Sequence, residues 1–155
     1  MLNAINDVLG ILWSIISSKI FVGTFTAWFF AQALKLLIHL VLTRKIDFRL
    51  LVGTGGMPSS HTASVTALTM GVGLAEGFTS TVFMVALLYC IVVISDALGV
   101  RRAAGKQAKL LNMIVDELGH NKLHAEKRMK ELLGHTPIEA AAGILIGIIF
   151  PILLY

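Results

Sequence analysis

Two histidines and a few cations carry most of the reactive potential of this sequence. His61 follows Gly55-Gly56-Met57-Pro58-Ser59-Ser60, and His135 opens Gly134-His135-Thr136-Pro137-Ile138-Glu139. An imidazole titrates near neutral pH, so it can hold a proton, accept one, or attack as a nucleophile. Glycines ahead of a helix let the backbone approach a ligand closely. Ser59 or Ser60 can cap the helix that follows, whose free N–H groups and positive dipole end suit a phosphate. His61 would then stand beside the bound anion. The plainer alternative is an ordinary helix start whose histidine faces lipid headgroups.

Glu139 has two uses. Thr136 and Glu139 have the spacing of a capping box, with Pro137 at the favoured first helical position. Glu139 can instead accept the ring N–H of His135, four residues earlier. That would fix the tautomer and leave the other nitrogen as nucleophile or base. The two readings compete for one carboxylate.

The cations come next. Asp96 with Arg101 and Arg102 is either a structural ion pair or part of a phosphate clamp, for which arginine is the best-shaped side chain. Lys35 either snorkels to the surface or, with Gln32 three residues before it, belongs to an intramembrane site. His39, four residues after Lys35, reads as interfacial. His120 and His124 share a helical face, as zinc ligands can, but no third ligand accompanies them. A solvated face is the preferred reading, and neither a metal nor another cofactor is expected. Cys90 is the sole cysteine, so no intrachain disulfide can form.

These groups need elements to position them, and the composition says which. Of the 155 residues, 56% are hydrophobic and only 14% are charged, against about 25% charged in soluble domains. The mean hydropathy is +0.83. A soluble globular domain, a disordered chain and a nucleic-acid module are all poor readings. The pattern predicts a single membrane-embedded domain over 1–155, an all-α helical bundle. Four spans fall at 20–42, 62–78, 82–98 and 138–155, each near the roughly 20 residues a bilayer requires. Residues 2–18 form a further apolar stretch of about 22–25 Å, which would span obliquely, enter partway or lie at the interface. The hydrophilic segment 99–136 reads as two short amphipathic helices, 106–118 and 121–133, with Gly119 and Gly134 at C-cap positions. Residues 76–80 read as a tight turn.

Alternating spans put the loops 43–60 and 99–136 in one compartment. Those loops hold Arg44, Lys45, Arg49, Arg101, Arg102, Lys106, Lys109, Lys122, Lys127, Arg128 and Lys130, eleven of the thirteen basic residues. The positive-inside rule makes that compartment the cytoplasm. The pI near 9.5 then reflects a surface facing anionic lipid rather than nucleic acid. His61, Asp96, Arg101, Arg102, His135 and Glu139 all fall at that same membrane face. A charged or reactive group there is costly unless it meets partners or water.

Pro58-Ser59-Ser60-His61 resembles the Pro-Ser-Gly-His motif of the type 2 phosphatidic acid phosphatase superfamily, which also includes bacterial acid phosphatases and vanadium-dependent haloperoxidases. With Asp96-Ala97-Leu98-Gly99-Val100-Arg101-Arg102-Ala103-Ala104-Gly105 and Gly134-His135-Thr136-Pro137-Ile138-Glu139, the chain looks like the small, divergent membrane branch of that superfamily from about Gln32 onward. The resemblance implies that His61 is a general acid toward the leaving oxygen and that Ser60 and the backbone around Ser59 bind phosphate. It implies that His135 is a nucleophile supported by Glu139, forming a phosphohistidine without a metal. Lys35, Arg101 and Arg102 would grip the phosphate, with Asp96 and Gln32 in support. Three departures stand out. Lys35 and Arg44 are nine apart, with no proline after Arg44, so the Lys-x6-Arg-Pro motif is absent. Arg128 is seven rather than six positions before His135. Glutamate replaces the usual aspartate.

The expected function is therefore a lipid phosphatase of the cell (inner) membrane, acting at its cytoplasmic face on an isoprenyl or glycerolipid phosphate or diphosphate. Its partners would be that lipid, the surrounding membrane and, for so small a bundle, a second copy. Two rivals stay open: a non-hydrolytic lipid-phosphate binder or transporter, and a structural or regulatory membrane protein whose basic loop docks a partner.

Overall fold

A computed structural model describes residues 2–45, 56–117 and 134–155. These form helices α1 (Leu2–Ile16), α2 (Lys19–Thr43), α3 (Ser60–Glu76), α4 (Thr81–Leu98), α5 (Val100–Glu117) and α6 (Pro137–Leu154). There is no strand among the described residues. Side-chain caps set the starts. Ser18 accepts the N–H of Phe21, Ser59 that of Thr62 and Ser80 that of Phe83, each meeting one of the unpaired donors of a first turn. α2 ends at Arg44, which takes the left-handed conformation with φ 56°. The expected turn at 76–80 is present, with the Ser80 N–H donating to Gly77 O at 3.1 Å.

α3 is the centre of the bundle and touches α2, α4 and α6. Ten of its seventeen residues are buried, mostly Ser, Thr, Ala and Gly. Small residues let helix backbones approach closely where lipid offers no hydrophobic drive to associate. The approach is tightest to α6. A Cβ on Gly143 would lie 2.5 Å from Ser59 O, and one on Gly147 would lie 2.6 Å from Ala63 O. On the other side α2 contributes Ala27 and Ala31, which meet Ala63, Ala67 and Ile146 in the core. Hydroxyls tie the helices further: Thr69 Oγ1 donates to Ala86 O of α4 at 3.1 Å.

Two expectations change in detail. Among the described residues three helical stretches are long and apolar enough to cross a membrane: α2, the stretch beginning with α4, and α6. α3, expected as a fourth span, is shorter and less apolar. Its small polar side chains face protein, so it does not need the apolar coat of a lipid-facing helix. The second change concerns the segment after Gly99. The amphipathic helix expected from 106 already begins at Val100, because Gly99 bends the chain (φ −102°, ψ −85°) and the following Arg-Arg-Ala-Ala are strong helix formers. Gly119, the helix expected at 121–133, His120, His124 and Arg128 lie outside the described residues. α1 touches only α2. At fifteen residues it is about 22 Å long, too short to cross upright.

Candidate functional site

His135 sits where the chain crosses the α4–α5 junction. Its backbone N–H donates to Ala97 O at 3.0 Å. Gly134, just before it, has φ +92°, and a Cβ there would lie 2.5 Å from the backbone nitrogen of Arg102. Only glycine satisfies both the torsion and the space. The imidazole is held in a pocket, 5% exposed.

Glu139 resolves its two readings by fulfilling both. Thr136 Oγ1 accepts the Glu139 N–H at 3.3 Å, and Glu139 Oε2 accepts the Thr136 N–H at 2.9 Å, a complete capping box. The same oxygen lies 3.2 Å from His135 Nδ1. With the proton on Nδ1 facing the carboxylate, Nε2 keeps its lone pair. Burial pushes the His135 ring below the ordinary imidazole range. The hydrogen bond and charge of Glu139 pull the other way, while the charges of Lys35 and Arg101 act with burial.

His61 stands in the first turn of α3 and is exposed. It and His135 line one cleft of about 30 Å³, together with Val93, Asp96, Ala97, Arg101 and Gly134. The two elements are also joined through the backbone, since the Ser59 N–H donates to Glu139 O at 3.1 Å. The Arg101 Nε–H donates to Asp96 Oδ2 at 2.6 Å, and both side chains are partly exposed. That pairing uses the Nε edge of a guanidinium that also carries two NH₂ groups able to meet an anion.

A second polar cluster adjoins the first through Ser60, the chain neighbour of His61. Lys35 is only 4% exposed. Its Nζ donates to Ser60 Oγ at 3.4 Å, and Ser60 Oγ donates to Gln32 Oε1 at 3.2 Å. Gly56, with φ +84°, packs on the Lys35 stem, where a Cβ would come within 3.3 Å of Cδ. So Lys35 does not snorkel away. It is held inside the bundle, and its charge reaches His135.

The expected residues thus separate. His61, His135, Arg101 and Asp96 share the cleft, Glu139 backs it, and Lys35, Ser60 and Gln32 adjoin it. Ser59 takes the structural role instead. Its Oγ accepts from the Thr62 N–H at 3.3 Å and from Thr62 Oγ1 at 2.9 Å, fully buried. Its backbone N–H is engaged with Glu139. Arg102 is exposed, and its backbone supports Gly134. Two contributions went unread in the sequence. Gly134 and the Ala97 carbonyl fix His135, and Gly143 and Gly147 seat α6 against α3. The Gly-x-x-x-Gly spacing of the second pair was the available signal.

Fold and site together define an all-α membrane protein with a histidine pair at one end of its bundle. The profile described as the Divergent PAP2 family matches residues 16–150, and the chain belongs to that family. It is 41% identical over 143 residues to "Uncharacterized membrane protein YuiD" of Bacillus subtilis (strain 168), an alignment covering 85% of this chain and 90% of the relative. No solved structure matches the chain.

Proposed function

We propose that the protein is a lipid phosphatase that hydrolyses a phosphate or diphosphate ester of a membrane lipid at the cytoplasmic face of the cell membrane. The observation that carries this reading is that His61, His135 and Arg101 line one cleft, with Glu139 on His135 Nδ1. The clustering of basic residues in the two loops beside this end of the bundle supports the cytoplasmic assignment.

The chemistry follows from the geometry. His135 Nε2 attacks phosphorus, and an N–P bond forms as the P–O bond to the lipid breaks. His61, protonated, gives its proton to the leaving alkoxide or lipid phosphate. Water then attacks the phosphohistidine, His61 takes the water's proton, and phosphate leaves with His135 neutral again. Glu139 holds the ring and stabilises the positive charge that builds on it. Arg101 and Lys35 balance the charge on the phosphoryl oxygens. At about 30 Å³ the cleft has room for about two waters, so a phosphoryl group needs a wall to move. The exposed Arg101–Asp96 pair is that wall, because such a pair holds by only about 0–1 kcal/mol.

Phosphate release from a long-chain phosphate monoester by purified protein in detergent tests the reading. Turnover that is blocked by vanadate and abolished in His135→Ala is expected. Full activity in that variant would discard the mechanism. The absent Lys-x6-Arg-Pro motif favours the rival, a non-hydrolytic binder or transporter. Lipid-phosphate flux across reconstituted vesicles with no phosphate released would single it out.

A further inference from the structure

The face of α2 that carries Gln32 and Lys35 continues away from the site as a ridge of aromatic rings. Phe21, Phe25, Trp28 and Phe29 lie at helical spacings of four, three and one. Their centroids are 6.1 Å apart for Phe21–Phe25, 5.7 Å for Phe25–Trp28 and 6.5 Å for Phe25–Phe29. At 100° per residue, Phe21, Phe25, Trp28, Gln32 and Lys35 fall within about 80° of one another around the helix. The two polar residues are buried, whereas all four rings are exposed.

Among the described residues no helix covers this face: α3 packs against both α2 and α4, and α2 and α4 make no close backbone approach to each other. α6 covers one side of α3, where Gly143 and Gly147 meet Thr62, Ala63, Thr66 and Ala67. The opposite side of α3 carries His61, Ser64 and Leu68, spaced three and four apart, the first exposed and the others half-buried. The aromatic ridge therefore borders an open strip of α3 that ends at the candidate acid.

We propose that this ridge is the seat for the hydrocarbon tail of the lipid phosphate. The tail would run along Trp28 and Phe25 while the headgroup reaches Lys35 and the histidine cleft. The proposal rests on the lipid-phosphatase reading and adds to it a single long tail as the feature recognised. Two observations select that occupant: the continuity of the ridge with the Lys35–Ser60 cluster, and its length. At 1.5 Å per residue the rings run from about 9 Å (Phe29) to about 21 Å (Phe21) from Lys35 along the helix axis, so only a long chain follows the whole ridge. Rings offer a tail large, rigid contact area at low entropic cost.

The test uses the full chain in vesicles in a Trp13→Phe background, which leaves Trp28 as the sole tryptophan. Two quenchers are compared, a long-chain phosphate monoester and a phosphatidylcholine, each brominated in its tail. Saturable quenching by the monoester at a mole fraction at least about fivefold lower is expected, reversed by unbrominated monoester. Phe25→Ala with Phe29→Ala should also lower the ratio of kcat/KM for long-tailed over short-tailed monoesters about fivefold. Equal quenching by the two lipids would overturn the tail site, whatever the hydrolysis assay gives. Preferential quenching without phosphate release would leave the tail site standing and remove the phosphatase reading.

Discussion

A single oxygen of Glu139 closes the cap of α6 and faces the buried nitrogen of His135, 3.2 Å away. The helix start and the candidate nucleophile are therefore not separate features. Whatever orients the first turn of α6 also orients the imidazole.

Glu139→Gln separates its two duties. The amide oxygen can still accept from Thr136, so α6 should stay capped, but the charge is gone. Turnover at neutral pH is expected to fall on the order of 10²-fold. Glu139 raises the His135 proton affinity against burial. Its loss therefore lowers that affinity further, and the acidic limb of kcat/KM moves to lower pH. A pH–rate profile checks both statements. A merely structural role for Glu139 would leave the limb in place.

In the unaltered protein, the His135-dependent acidic limb should lie below the ordinary imidazole value of about 6.5, since burial favours the neutral ring. The same depression bears on stability. Below about pH 6.5 the unfolded chain binds this proton more tightly than the folded one, so stability contributed by the buried neutral ring is lost as pH falls. Melting in detergent across pH 5–8 measures it.

His61→Ala should depend on the leaving group. With an alkyl phosphate the loss is expected to be about 10²- to 10⁴-fold, the usual contribution of a positioned acid. With a phenolic leaving group, which departs without a proton, the loss should be much smaller. Equal losses on both substrates would remove His61 from the acid role. His135→Ala should abolish turnover of either.

Gly134→Ala adds a Cβ where the left-handed φ and the Arg102 backbone leave no room. Strain of about 1–3 kcal/mol is expected, relieved by displacing His135. Activity should drop sharply while circular dichroism keeps its helical signal.

Gly147→Val should lower Tm by forcing α6 away from Ala63 and Thr66. Gly10→Ala is the contrast. A Cβ there meets nothing within 4 Å, so the change should be neutral or stabilise α1 by up to about 1 kcal/mol.

Much of this was legible in the order of residues. The apolar runs mark α2, α4 and α6, and the two histidine motifs stand out by type and spacing. The Thr136–Glu139 spacing announced the cap. The carboxylate's second partner needed only that His135 lie one turn back on the same side. Other features were hidden because they depend on neighbours distant in sequence. Ser59 and Ser60 are equivalent as letters. Which one caps α3 and which meets Lys35 is settled by where α2 passes. Lys35 read equally well as snorkelling or as a site residue, and its burial comes from Gly56 packing on its stem. The low apolarity of α3 could be understood only once its three helical neighbours were known.

That last feature bears on how the chain is made. α3 is less apolar than α2, α4 and α6 and rich in hydroxyls, so bilayer hydrocarbon alone holds it weakly. Its polar atoms find partners in α2 and α4, and α6 closes against its small side chains at Gly143 and Gly147. Insertion of α3 is therefore cooperative: the helix bearing His61 is held by neighbours that both precede and follow it in the chain.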